Sequence, residues 1–270
     1  MSSIQNGLQY FFRTAEDPGY VQNHYLLLAS ILAWAIIFLV AYKKDITKMN
    51  TAAIRFIGFS LFSLQVLITL WFVFARHSAV KDSMPLYFCR MSSLIIGFNL
   101  MRNKISGKVT NFFAVFSVVG ASIALLVPDM EKYNFPHITG VSYIMIHSLL
   151  LLSAMYVVKK SDTLLSRNEI MEMTGFIVIP IHMFNKIFET NYSYTVHLPS
   201  ILGVIPSALS VGFIYITTVL IMIGIQKLKV KMRNDLREKE FFLENYEIIE
   251  NNLEQEKVKV DTWNERNINL

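Results

Sequence analysis

The chain has 270 residues, of which 53% are hydrophobic and 17% charged, and its formal net charge is +5. The basic residues are spread over several short segments without an aromatic-interleaved basic patch, which argues against a nucleic-acid surface. The single cysteine excludes an intrachain disulfide. The sequence has no Walker A, GxGxxG or GxSxG motif, so nucleotide binding and serine-hydrolase chemistry have no support.

In chain order, the apolar residues form seven runs, each close to the roughly 20 residues that cross a bilayer. The first run lacks the basic start and small-residue cleavage site of a secretion signal, so we expect it to stay in the mature protein. The sequence therefore predicts an all-α, polytopic membrane helix bundle with seven transmembrane helices. The predicted spans are residues 23–42, 53–75, 84–101, 110–128, 138–158, 169–189 and 200–226.

The third run is the weakest, because Cys89, Arg90 and Asn99 interrupt it, and we expect this helix to pack inside the bundle. Its opening, SMPLYFCR, places a proline, the only thiol and a charge together. A proline in the first helical turn loses no helical hydrogen bond. The sequence therefore predicts that Pro85 starts the helix, with unpaired backbone amides after it that could hold an oxyanion or a lipid phosphate beside Arg90.

Lysine and arginine follow the odd-numbered spans, in clusters that begin at Lys43, Arg102, Lys159 and Lys227. Cytoplasmic flanks retain basic residues. The sequence thus predicts an extracellular amino terminus, a cytoplasmic carboxyl terminus, and outer loops at 76–83, 129–137 and 190–199. In the second of these loops two prolines bracket a polar stretch that contains Asp129, which predicts an ordered turn.

Three regions follow from this topology: an extracellular segment 1–22, a seven-helix transmembrane domain 23–226 and a charged cytoplasmic helical tail 227–270. The tail has too few sustained heptads to predict a coiled coil, so we expect an ordinary solvated helix or a frayed end. Its basic start could also hold anionic lipid headgroups. The near-heptad apolar residues are Leu228, Met232, Leu236, Leu243, Tyr246 and Leu253.

Polar side chains inside a bilayer are costly, about 2.5–3.5 kcal/mol for a central charge, so each needs a partner or a role. Counted from the outer ends of the predicted spans, Cys89, His147, His182 and Asn185 all fall in the outer half of the membrane. A thiol becomes a good nucleophile when an imidazole takes its proton and a third polar group fixes the imidazole tautomer. Cys89, His147 and Asn185 are therefore the predicted catalytic residues.

The structural alternative is that Cys89 is a small buried hydrophobe and that each histidine only bonds a neighbouring backbone group, which is the more common case for such residues. Arg90 could likewise extend to the outer headgroups. The histidines fit no compact ligand spacing and no second cysteine exists, so we expect neither a metal site nor a cofactor.

Several separated motifs resemble those of the YwaF-type integral membrane proteins of bacteria, over residues 50–225. They are MPLYFC before the third predicted span, PDMEKYNFPH between the fourth and fifth, His147, and NKIFETNY from Asn185 to Tyr192. The family's animal relatives are described as transmembrane cysteine-dependent phospholipid acyltransferases. The resemblance implies a multi-pass protein of the bacterial plasma membrane that acts on membrane phospholipids or lysolipids.

Residue by residue, the resemblance implies that Cys89 is the acyl-accepting nucleophile and that His147 is its general base. The predicted substrate-binding or pocket-bracing residues are Arg90, Asp129, His137, His182, Asn191 and Tyr192. A histidine expected in the second span is absent, and Gln65 is the nearest polar residue there. With water in place of the lysolipid acceptor, the same site would be a lipid hydrolase.

The alternative function is non-enzymatic: a seven-helix binding or transport protein for a small solute or lipid. Paired Gly/Pro breaks in two matching halves would favour a transporter. The sequence has Pro180 and Pro206 in the sixth and seventh predicted spans but no matching break in an earlier half. This asymmetry favours the enzyme.

Overall fold

The computed structural model describes residues 2–17, 20, 24–75, 81, 83–198, 205–235, 237, 238 and 241. These residues form eight α-helices and no strand. The helices are α1 Ser2–Phe11, α2 His24–Lys43, α3 Thr51–Ala75, α4 Phe88–Met101, α5 Lys108–Leu126, α6 Ile138–Lys160, α7 Arg167–Phe188 and α8 Ser207–Asp235. Short 3₁₀ turns lie at Ile46–Lys48 and Tyr192–Tyr194.

Five helices within the described residues are long and apolar enough to cross a membrane: α2, α3, α5, α6 and α8. The prediction of an all-α, multi-pass membrane protein is thereby confirmed. Helix α4 is apolar but has only 14 residues, and at about 1.5 Å per residue it is short for a bilayer core of about 30 Å. The count of seven spans and the orientation of the termini stay predictions.

The helix starts show why these segments fold as they do. At α7, Ser166 and Glu169 form a reciprocal capping box, in which each side chain accepts from the other's backbone N–H. At α6, the ring of His137 accepts the N–H of Thr139. Helix α4 is different, because its N-cap residue Tyr87 makes no capping hydrogen bond with its side chain.

The core of the bundle lies between α3, α4, α5 and α6. Helices α3 and α4 approach most closely where Gly58 faces Gly97: a Cβ built on Gly97 would lie 3.0 Å from the Gly58 carbonyl oxygen. Side chains with no solvent exposure fill the space around this crossing, among them Leu61, Ile96, Leu100, Phe112 and Leu150. Large apolar side chains also cover the outside of the bundle, with Phe74 at 83% and Phe176 at 84% exposure. This outer surface suits a hydrocarbon environment.

Four connecting segments meet at one end of the bundle, and we call them the loop cap: residues 12–17, 83–87, 127–137 and 189–198. Arg13 joins the first and third segments, since its guanidinium donates to the carbonyl oxygen of Asn134 at 2.7 Å. Tyr192 joins the second and fourth, because its hydroxyl accepts the N–H of Met84 at 3.1 Å. The hydroxyl of Tyr194 donates to Asp129 at 3.1 Å and joins the fourth to the third.

The other end of the bundle is held by contacts between different segments. The ammonium group of Lys159 donates to the carbonyl oxygen of Ala41 at 2.8 Å, and the side chain of Asn111 donates to the carbonyl oxygen of Thr163 at 3.0 Å. Lys108 pairs with Glu169. These contacts tie the start of α5 and the end of α6 to neighbouring elements.

The chain divides into two compact units, Met1–Gln226 and Lys227–Leu270. The contacts described below belong to the first unit. Of the predicted tail residues, Leu228 and Met232 lie in α8, whereas Leu236, Leu243, Tyr246 and Leu253 lie outside the described residues. Parts of the predicted outer loops and the start of the last predicted span also lie outside the described residues, namely residues 76–80, 82 and 199–204.

Candidate functional site

Cys89 is the second residue of α4 and is half-buried beside the loop cap. Its sulfur packs against α5, where a Cβ built on Gly120 would lie 3.7 Å from Sγ. A side chain at this position would thus make ordinary van der Waals contact with the thiol. The thiol also lies in the neighbourhood of the Tyr143 phenol on α6.

His147 lies on α6, and its ring orientation is set by its own helix. Nδ1 is 2.8 Å from the carbonyl oxygen of Tyr143, one turn earlier. A carbonyl oxygen can only accept, so Nδ1 carries the hydrogen and Nε2 carries the lone pair in the neutral ring. The Tyr143 ring packs against the imidazole with a centroid separation of 4.3 Å. The hydrogen bond to the Tyr143 carbonyl oxygen fixes the tautomer in which Nε2 can take a proton.

Tyr143 thus packs against His147 and lies in the neighbourhood of Cys89, and the sequence analysis did not identify it. Its hydroxyl donates to the carbonyl oxygen of Ala124 on α5 at 2.9 Å and accepts the N–H of Asp129 at 3.4 Å. The available signal was its spacing, because residues four apart share one face of a helix. A tyrosine one turn before His147 therefore belongs to the site.

Asp129 connects this tyrosine to the loop cap. Its carboxylate accepts the hydroxyl of Tyr194 at 3.1 Å. Burial, followed by the nearby negative charge of Asp129, raises the pKa of Tyr194 above its ordinary value. Tyr194 is therefore a neutral donor to Asp129 at physiological pH.

Arg90 follows Cys89 and lies over two aromatic rings. Its guanidinium carbon is 4.8 Å from the Phe72 ring centroid and 5.1 Å from that of Tyr87, distances at which a cation is attracted to the ring face. Its charge also acts on His147. The Arg90 guanidinium and the His147 ring thus lie in the same region of the bundle, and Cys89 precedes Arg90 in the first turn of α4.

Asn185 lies near the end of α7, where its carboxamide binds the loop that follows. Nδ2 donates to the carbonyl oxygen of Tyr192 and to Oγ1 of Thr195, both at 2.8 Å. Oδ1 accepts the Thr190 hydroxyl at 2.6 Å and the N–H of Tyr192 at 2.9 Å. These four bonds use the two donors of the side chain and both lone pairs of its oxygen. The structure therefore gives Asn185 a role in holding the loop at residues 189–198.

The other predicted residues of this region also bind the same loop. His182 contacts the carbonyl oxygen of Thr195 through Nδ1 at 3.0 Å. Asn191 donates to the carbonyl oxygen of His197 at 2.7 Å and accepts the N–H of that residue at 2.9 Å. Tyr192 is 1% exposed and packs against Tyr87, with ring centroids 5.2 Å apart. Together these contacts hold the loop in place beside the start of α4.

His137 lies elsewhere in the loop cap, where it anchors the amino-terminal segment. Its Nε2 is 3.0 Å from the carbonyl oxygen of Arg13, and its Nδ1 is 2.8 Å from Oγ1 of Thr139. Its ring stacks on Tyr133 with centroids 3.8 Å apart. Both ring nitrogens are engaged, so the geometry gives His137 a structural role at the start of α6.

The start of α4 differs from the expectation. The prediction that Pro85 lies in the first helical turn is wrong, because the helix begins at Phe88 and Pro85 lies three residues earlier. The Phe88 amide, predicted to be unpaired, donates to the hydroxyl oxygen of Ser193 at 3.1 Å. Gln65, where a histidine was expected, is buried and donates to Thr69 on its own helix at 3.1 Å.

The sequence model of the TMEM164 family matches residues 19–228 of the chain. This range begins before α2 and ends within α8, so it includes the whole candidate site. No curated protein and no solved structure matches the chain. The YwaF-type assignment and the relationship to acyltransferases stay predictions.

Proposed function

The chain belongs to the TMEM164 family, and from that premise we propose that it is an integral membrane enzyme that transfers acyl chains between phospholipids and lysolipids. Cys89 is the nucleophile and His147 is the general base. The supporting observation is the hydrogen bond from His147 Nδ1 to the carbonyl oxygen of Tyr143, 2.8 Å long. It leaves Nε2 as the proton acceptor on a ring that packs against Tyr143, in the neighbourhood of the Cys89 thiol.

In the first half-reaction, Nε2 of His147 takes the thiol proton and the sulfur of Cys89 attacks an ester carbonyl of a phospholipid. The tetrahedral oxyanion accepts the backbone N–H of Cys89, which has no acceptor within the helix because it lies in the first turn of α4. The C–O bond then breaks, the imidazolium returns its proton to the leaving alkoxide, and a lysolipid departs. An acyl thioester remains on Cys89.

In the second half-reaction, the hydroxyl of another lysolipid attacks the thioester while His147 accepts its proton. The C–S bond breaks, the thiolate regains the proton, and a new phospholipid ester is released. Water in place of the lysolipid would yield a fatty acid, so the exclusion of water decides between transfer and hydrolysis.

The surrounding residues have supporting roles in this proposal. Arg90 binds the phosphate of the substrate while its guanidinium rests on Phe72 and Tyr87. Asn185 braces the pocket wall through its four hydrogen bonds to the loop. Asp129 supports the wall from the other side through Tyr194.

The proposed topology has seven spans, in which the 14-residue α4 and the 22-residue α7 join the five long apolar helices, in a bacterial plasma membrane. The loop cap is extracellular, so the reaction takes place in the outer leaflet. Reporter fusions after residues 135 and 240 test this arrangement, since the two sites should report opposite sides of the membrane. The same side for both would overturn the orientation and the outer-leaflet assignment.

Activity is tested by expressing Cys89→Ser and His147→Ala beside the parent and comparing membrane lipid species, together with labelling by a thiol-reactive lipid probe. His24→Ala is the matched control, because His24 is an exposed histidine at the start of α2. We expect both site variants, but not the control, to lose acyl exchange. If all four proteins have the same lipid profile and the parent thiol is unreactive, the enzyme proposal fails and the non-enzymatic binding function remains.

A further inference from the structure

The first turn of α4 receives its cap from a residue 105 positions later in the chain. The hydroxyl oxygen of Ser193 accepts the N–H of Phe88, the first residue of the helix, at 3.1 Å. The same hydroxyl donates to the carbonyl oxygen of Leu86 at 2.8 Å. Because the side chain of the N-cap residue Tyr87 makes no such bond, Ser193 holds the backbone on both sides of the helix start.

Ser193 is itself held in an unusual conformation. It has φ 53° and ψ 23°, and the next residue, Tyr194, has φ 57°. Residues other than glycine rarely adopt this left-handed region, and such strain persists only where the surroundings enforce it. Here the enforcement comes from Asn185, whose carboxamide binds both backbone polar groups of Tyr192. The loop thus carries a conformational cost while it presents the Ser193 hydroxyl to α4.

The segment before α4 is tied to this loop at a second point. The hydroxyl of Tyr192 accepts the N–H of Met84 at 3.1 Å. Tyr192 is 1% exposed and Ser193 is 5% exposed, so both hydrogen-bonding groups are shielded from water. Tyr192 and Ser193 therefore hold the chain at Met84 and at Phe88. Cys89 is the residue after Phe88.

We propose that Ser193 is a positioning residue for Cys89: by capping Phe88 it fixes where α4 begins and so places the thiol in the first turn. The inference rests on the proposed function for its catalytic meaning. A thiol in the first turn lies at the positive end of the helix dipole, which favours the thiolate. If the first turn frays, Cys89 leaves this environment and its backbone N–H is no longer directed at the oxyanion.

The test uses the fact that Cys89 is the only cysteine. The full chain in lipid nanodiscs is alkylated with N-ethylmaleimide across a range of pH, which gives a midpoint for thiolate formation and a plateau rate for accessibility. Ser193→Ala removes the hydroxyl. Ser193→Gly also removes it but suits the left-handed conformation, so this variant folds even if the strained loop does not tolerate alanine.

The control is Ser153→Ala, which deletes a hydroxyl on α6 that is 1% exposed and has no hydrogen-bond partner among the described residues. We expect both Ser193 variants to shift the midpoint and to change the alkylation rate at a fixed pH below it by about two- to fivefold, the size of a helix-terminus effect. The Ser153→Ala profile should match that of the parent.

If the profiles of Ser193→Ala and Ser193→Gly superimpose on that of the parent, the positioning role is overturned. The lipid-exchange assay separates this result from the function. A parent without acyl exchange whose Ser193 variants still shift the midpoint contradicts the enzyme but supports the placement of the thiol. A parent with acyl exchange and unshifted variants supports the enzyme and contradicts the role of Ser193.

Discussion

Nδ1 of His147 donates to the carbonyl oxygen of Tyr143 at 2.8 Å, so a backbone group of α6 fixes the tautomer of the imidazole. A triad commonly assigns this task to a third side chain. The carboxamide of Asn185 instead uses its hydrogen bonds on the loop after α7. Substitution of Asn185 should therefore affect the loop at residues 189–198, whereas the basic nitrogen of His147 depends on the helix itself.

The His147–Tyr143 contact predicts different outcomes for two substitutions. His147→Asn places an amide donor where Nδ1 lies and keeps the bond to the Tyr143 carbonyl, but it has no base at the position of Nε2. We expect its acyl-transfer rate to fall by about 10²- to 10⁴-fold, the usual contribution of a general base, with little change in thermal stability. His147→Ala should lose the same activity and also some stability.

Both rates are measured by following labelled acyl chains from phospholipid to lysolipid in proteoliposomes. His24→Ala again controls for histidine loss at an exposed position. A His147→Asn protein as active as the parent would contradict the assignment of Nε2 as the proton acceptor.

Asn185→Ala tests whether the Asn185 side chain holds the loop at residues 189–198. It leaves the amide of Tyr192 and three other polar groups of a largely buried region without their partner. Because unsatisfied buried groups are costly, we expect a loss of about 2 to 4 kcal/mol in the free energy of unfolding, measured by thermal unfolding in detergent. Asn99→Ala is the control, since within the described part of the chain the side chain of Asn99 makes one hydrogen bond, to a carbonyl oxygen on its own helix at 2.9 Å. Equal stability of the two variants would contradict the bracing role.

The long apolar runs allowed the all-α membrane architecture to be predicted, because crossing a bilayer requires about 20 such residues whatever the tertiary contacts. The start of α4 could not be predicted in the same way. Local rules pointed to Pro85, but the helix begins at Phe88, where a serine distant in sequence supplies the cap. A tertiary hydrogen bond of this kind leaves no local pattern.

The candidate site was predictable in residue type more than in role. Cys89 and His147 stood out because polar groups are rare in apolar spans. Tyr143 did not stand out, because a tyrosine in an apolar helix usually only packs. Its part in the candidate site follows from its proximity to Cys89 on α4 and from its hydrogen bond to α5. Asn185 and His137 were predicted as site residues from the sequence, and that prediction stays open, while their hydrogen bonds show in three dimensions which segments they hold.

Asp17 gives the amino-terminal segment a dependence on pH. A hydrogen bond from Arg13, supported by the N–H of Asn134, lowers the pKa of Asp17 below its ordinary value of 3.8. A lowered pKa in the folded protein stabilises the fold above pH 3.8, and this contribution is lost as the pH falls through the lowered pKa. We therefore expect the segment at residues 12–17 to loosen below about pH 3.8.

The readout is hydrogen exchange at the Asn134 amide, which donates to the Asp17 carboxylate at 2.7 Å, corrected for the intrinsic effect of pH. In Asp17→Asn the protection of the Asn134 amide against exchange should be lower than in the parent, and it should no longer change as the pH falls below about 3.8. Asp45→Asn is the control, because that carboxylate bonds Thr47 instead. Unchanged pH dependence in Asp17→Asn would show that another group governs the segment.

The close crossing of α3 and α4 predicts that Gly58 cannot carry a side chain without movement of one helix. A Cβ built on Gly58 would lie 2.7 Å from Cβ of Leu100 and 2.8 Å from the carbonyl oxygen of Gly97. We expect Gly58→Ala to cost about 1 to 3 kcal/mol, as overpacking usually does, and to displace the helix that carries Cys89. Gly212→Ala on α8 is the matched control, since nothing lies within 4 Å of its built Cβ, and alanine in a helix should be neutral or stabilising. Thermal unfolding in detergent compares the two, and a Gly58→Ala protein as stable as Gly212→Ala would show that the helices do not cross this closely.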